Sequence, residues 1–161
     1  MLTSTAFGLA IALIGLIGPT QPPDRQALAG YRLTPAVFAT FQHASREIAT
    51  IVGRDASLRS APLFSQDIVQ AADLVEAATQ LEARLTEHVE LAAALRTAKV
   101  TPRDYTIFAL SLLGARLAFG FVEAGTLRSV PAGAAADNVT FVRAHRAAVD
   151  EVLTLAGVEM K

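Results

Sequence analysis

One stretch constrains this 161-residue chain more than any other, Tyr105 to Val122. It reads YTIFALSLLGARLAFGFV, with apolar side chains on nearly every side at helical spacing and one charge, Arg116. A helix that is apolar all round must be buried, in a protein core or in lipid. A guanidinium is costly in lipid, and the other helices need a surface to pack on, so a core position is expected. Thr101-Pro102 marks its start: threonine caps, proline suits the first helical position, and Asp104 stands where a capping box needs a carboxylate. Gly114 and Ala118 permit close helix approach. Gly125 ends the run.

Four further segments carry helical periodicity. Thr34-Pro35 opens one in which Val37, Phe38, Phe41, Ala44, Ile48, Ile51 and Val52 recur at three- and four-residue steps up to Gly53. A loop through Ser57, Ser60 and Pro62 leads to a second helix capped by Ser65, with Asp67 in its first turn and Ile68, Ala71, Ala72, Val75, Ala78 and Leu81 on its buried face. The pattern breaks near Thr86 and resumes from Glu87 to about Ala98 as a short helix with Val89, Ala92 and Leu95. After a loop from Ser129 to Ala136, Asp137 or Asn138 opens the last helix, with Val142, His145, Val149 and Val152 on one stripe, fading near Gly157. The expected fold is all-α, an antiparallel four-helix bundle with one short extra helix, over residues 34–156.

Ahead of it lies an apolar run without a charged side chain, Leu2 to Gly18. A helix of that length spans about 25 Å, the lower end of what a bilayer core needs. Pro19 stops it, and residues 19–33 read as a proline-rich linker. Residues 1–18 therefore read as a retained membrane anchor or as a signal segment cleaved near Ala29, in Ala27-Leu28-Ala29, with a buried helix of a soluble fold as the third reading. The absence of Lys or Arg before the run, and the long charged spacer after it, favour retention.

Composition narrows the chemistry. The chain is 52% hydrophobic, carries a net charge of −1 and has no cysteine. Nucleic-acid binding, which rests on clustered Lys and Arg, is not expected. Disulfides, thiolate catalysis and cysteine-attached haem are excluded. No Glu-x-x-His pair, His-Glu-x-x-His motif or calcium loop is present, so neither a cofactor nor a metal is expected. His43 falls opposite the apolar stripe of its helix, and His88 sits in the first turn of the short polar helix; both read as surface groups. His145 lies on the apolar stripe of the last helix and Arg116 inside the apolar one. These two are the candidates for a ligand or partner contact, against the plainer reading of a paired core histidine and a structural ion pair. The acidic residues of the second helix and its extension, Asp67, Asp73, Glu76, Glu82, Glu87 and Glu90, read as a solvated face. Asn138-Val139-Thr140 is formally a glycosylation sequon, set aside because it opens a helix.

Three motifs, Tyr31-Arg32-Leu33-Thr34, Thr101-Pro102-Arg103-Asp104-Tyr105 and Asn138-Val139-Thr140-Phe141-Val142-Arg143-Ala144-His145, give the chain a resemblance. Over most of Gly30 to Leu155 it resembles small exported all-helical proteins of Gram-negative bacteria to which no activity is attached. The resemblance implies a periplasmic helical domain and assigns no functional residue. Taken together, the expectation is a non-enzymatic structural or accessory subunit. It would be held at the inner membrane by residues 2–18, its domain in the periplasm, docked on a larger membrane complex of the respiratory or photosynthetic kind. The alternative is a soluble periplasmic binding protein for haem, metal or a small apolar ligand, with His145 and Arg116 involved.

Overall fold

The structure, a computed structural model, describes residues 23–60, 63–64 and 73–158. Among the described residues the chain is all-helical: α1 (Pro23–Gly30), α2 (Pro35–Arg54), α3 (Ala56–Ser60), α4 (Leu74–Glu87), α5 (Val89–Thr97), α6 (Pro102–Glu123), α7 (Ala134–Ala144) and α8 (Arg146–Leu155).

The apolar helix is the hub. By length and composition α6 could cross a membrane, but it packs against α1, α4, α7 and α8. Tyr105, Phe108 and Leu112 are 1% exposed or less. The aromatic residues of α2 close over its first half. Phe41 and Phe108 stack with ring centroids 4.1 Å apart, and Phe38 bridges to Phe108 and to Phe141 of α7. Such pairs add about 0.5–1.5 kcal/mol each beyond the area they bury. Inside this apolar layer the Ser45 and Tyr105 hydroxyls satisfy each other at 2.9 Å. Leaving either unmade would cost a buried polar group its partner. On its other side α2 packs against α5 and α8.

Both Thr-Pro starts form as expected. The Thr34 hydroxyl accepts the Val37 amide, and the Thr101 hydroxyl accepts the Asp104 amide while donating to the Asp104 carboxylate at 2.6 Å. Three helices end in the same left-handed turn. At Gly125, Lys99 and Gly157 the chain takes φ of 70°, 57° and 87°. In each case the last carbonyls are taken by the next two amides, as in Val100 N–H to Leu95 O and Lys99 N–H to Arg96 O. Val100 and Leu95 are both buried, which supplies the apolar contact that accompanies this turn.

Four features differ from the expectation or fall outside reach. The apolar run 2–18, the spacer to Gln21, and Pro62, Ser65, Asp67, Ile68, Ala71 and Ala72 lie outside the described residues. Within the expected linker, Pro23–Gly30 forms α1, which packs on α4, α6 and α7, so the folded part begins before Thr34. The helix expected from Glu87 starts at Val89, because the chain turns at His88. The last helix is two helices: the chain breaks at His145, whose φ of −121° and ψ of 25° are not helical. That break turns His145 out to solvent, so it does not share the buried face of Val142, Val149 and Val152.

Candidate functional site

The two candidate residues come to one place, the elbow between α7 and α8 where it meets the last turns of α6. Arg116 is nearly enclosed, its side chain 12% exposed. Its Nε donates to Asp150 Oδ1 at 2.7 Å, and its guanidinium lies over the Phe119 ring, 5.8 Å from the centroid. Asp150 stands one turn into α8, and the α8 packing on α6 brings it there. The structure therefore gives Arg116 the partner that its burial requires. Arg146 joins from the first residue of α8, contacting Glu123 at 3.3 Å and Asp150 at 3.8 Å. Its guanidinium and that of Arg143 also approach Phe119, at 5.7 and 5.8 Å. His145 is exposed beside them, its ring 4.5 Å from that of Phe141. Sequence reasoning singled out Arg116 but passed over Arg143 and Arg146. Nothing in the local pattern marks either residue: α7 brings Arg143 to Phe119 by packing on α6, and α8 brings Arg146 after the break at His145.

A second cluster joins the three motifs. Tyr31-Arg32-Leu33-Thr34 runs as an extended strap between α1 and α2, fixed to the start of α7. Asn138 is 5% exposed; its Oδ1 accepts the Leu33 amide and its Nδ2 donates to the Tyr31 carbonyl, both at 2.8 Å. Arg32 pairs with Asp137. Burial, together with the charge of Asp104 at the start of α6, pushes the Tyr31 hydroxyl up to about 12. Asn138 was expected to open a helix. It lies one turn inside α7, and both ends of its amide are spent, so it is a clamp.

The remaining histidines separate. His43 is exposed, as expected. His88 is half-buried instead of a surface group: at the α4–α5 turn its Nε2 lies 3.1 Å from Asp55 Oδ2. Asp55 also accepts the amide and hydroxyl of Ser57, and these bonds pull its carboxyl down to about 2. Serine, aspartate and histidine thus meet here, the serine hydroxyl donating to the carboxylate at 2.6 Å. Among the described residues no group of three or more His, Cys, Asp or Glu side chains could hold a metal ion.

What these arrangements define is a class: an all-α protein with an apolar hub helix, a clamped strap and an arginine-lined elbow. No protein-family model, no curated protein and no solved structure matches the chain.

Proposed function

We propose that the chain is a non-enzymatic, membrane-tethered helical protein. Residues 2–18 would hold it in the inner membrane and its domain would stand in the periplasm, as an accessory subunit docked on a larger membrane complex. In this reading α2, α4, α6 and the broken pair α7–α8 are the four members of an antiparallel bundle, and α5 is the short extra helix.

The observation that carries the tether is the position of α1. The small residues that would form a cleavage site, Ala27-Leu28-Ala29, lie inside this helix. Leu28 is buried in the core, and Arg25 pairs with Asp73, the residue that caps α4. Cleavage after Ala29 would remove both and open a hole where Leu28 packs, an apolar loss of about 2–5 kcal/mol for a leucine-sized cavity. A retained segment keeps α1 and puts the uncharged run 2–18 directly ahead of it. The resemblance to exported helical proteins points to the same side of the membrane.

The test is a truncation. A chain starting at Gly30 should have a lower urea midpoint than the full-length chain in detergent. Equal midpoints would remove the argument for retention.

A further inference from the structure

We infer that α1 is a releasable spacer, which detaches from the domain as a unit at Gly30 while the strap behind it stays clamped. The opening is a property of the fold. Its use, a change in how far the domain reaches from the bilayer, rests on the tether proposed above.

The hold on the chain changes abruptly between Gly30 and Tyr31. Behind that point the Tyr31 carbonyl and the Leu33 amide are both bonded to buried Asn138, Leu33 itself is buried, and Arg32 pairs with Asp137. Ahead of it, Leu28 is the one buried side chain among those described in α1. Arg25 and Ala27 are half-buried, and Gln26, Ala29 and Gly30 are exposed. A Cβ placed on Gly30 would meet nothing within 4 Å, so the joint has open space around it.

Eight residues are too few to hold a helix in water alone, so α1 depends on its docking. Besides Leu28, the tie is Arg25 to Asp73, whose side chains are 36% and 45% exposed, a weak pair of the surface kind. Asp73 divides its oxygens: Oδ2 takes Arg25, and Oδ1 accepts the Val75 amide that starts α4. Departure of α1 therefore leaves the cap of α4 in place. The helix holds no aromatic residue, so the ring contacts of the core stay closed as well. A segment held in this way opens at a lower free energy than the whole domain. With α1 docked, residues 19–22 separate the apolar run from the folded surface and span at most about 14 Å. With α1 released the spacer runs to Gly30 and reaches about 40 Å. The domain then has two heights over the bilayer, and a load on the tether favours the second.

Amide hydrogen exchange of the full-length protein in maltoside micelles tests the opening without any membrane. The Leu28 and Ala29 amides should exchange about a hundredfold faster than those of Phe108 and Leu112 in α6. The Leu33 amide, only five residues on from Leu28, should belong to the slow set. Low urea should speed the slow set and leave the α1 amides nearly unchanged, because a small opening exposes little surface. Asn138→Leu weakens the domain whether α1 is docked or not. It should therefore speed Phe108 and Leu112 about thirtyfold while Leu28 and Ala29 keep their rates. Arg25→Gln should do the reverse for α1, raising its rates about threefold. Equal rates and equal urea slopes in α1 and α6 overturn the spacer, and so does an Asn138→Leu variant in which α1 accelerates in step with α6. Flotation of the same protein with vesicles reads the tether separately: a chain that stays at the bottom overturns the use in reach, whatever the exchange rates show.

Discussion

At Asn138 both ends of one buried amide hold the strap that leads from α1 to α2. Asn138→Leu keeps the volume, removes both bonds and strands the Leu33 amide in the interior. Unfolding in urea should show a loss of about 2–3 kcal/mol; a change under 0.5 kcal/mol would mean the clamp carries little. Lys99 presents the opposite case. It holds φ of 57°, where a side chain is strained and glycine is not. Lys99→Gly should therefore raise stability by about 0.5–1 kcal/mol, against the usual direction for glycine inside a helix. The Arg116–Asp150 pair tests burial. Asp150→Ala leaves a nearly enclosed guanidinium unpaired and should cost about 2–3 kcal/mol, below the roughly 3–5 kcal/mol typical of a fully buried pair because Asp150 itself is 33% exposed. Replacing both together, as Arg116→Met with Asp150→Ala, should cost less than the single change. A double variant worse than the single one would show that the pair is not what stabilises the elbow.

At the scale of elements, the sequence was most legible where local chemistry decides. The Thr-Pro starts at Thr34 and Thr101 and the stop at Gly125 are written in residues whose backbone preferences act within four positions. The all-round apolar pattern of α6 likewise declares burial without any knowledge of its neighbours. The break expected near Thr86 falls two residues on, at His88, whereas the break at His145 was not legible. Neither involves glycine or proline, and each turn is set by packing: α5 against α2, and α8 against α2 and α6. A single unbroken helical stripe through Val142, His145 and Val149 was the natural reading of the residues, and tertiary contact overrode it. The same holds for α1. Three prolines and two charges near Pro23 read as a spacer, yet proline at the first position of a helix is favourable and Leu28 had a core to enter. The site suffered most, because the arginines meet Phe119 only through the packing of α7 and α8 on α6.

For the molecule as a whole, pH dependence follows from its two tyrosines. Burial pushes Tyr105 up to about 12, against the smaller lowering effect of Ser45, and Tyr31 is held at about 12 as well. In the unfolded chain both ionise near 10. Between those values the folded state binds more protons than the unfolded state, so stability is unaffected below about pH 10 and falls as pH rises towards 12. For fully buried Tyr105 that loss is on the order of 2–3 kcal/mol; half-buried Tyr31 adds a smaller share. Tyr105→Phe should flatten the fall in a pH series of urea midpoints, at a cost near neutral pH of about 1 kcal/mol from the stranded Ser45 hydroxyl. An identical slope in the variant would contradict the assignment.

The central claim is that the helical domain works on a tether. Its most direct test is the intact mass of the native protein after membrane fractionation. The account predicts a chain that still carries residues 2–18, in the membrane fraction, and resistant to alkaline carbonate. A chain beginning at Gly30 and free in the periplasm would contradict it.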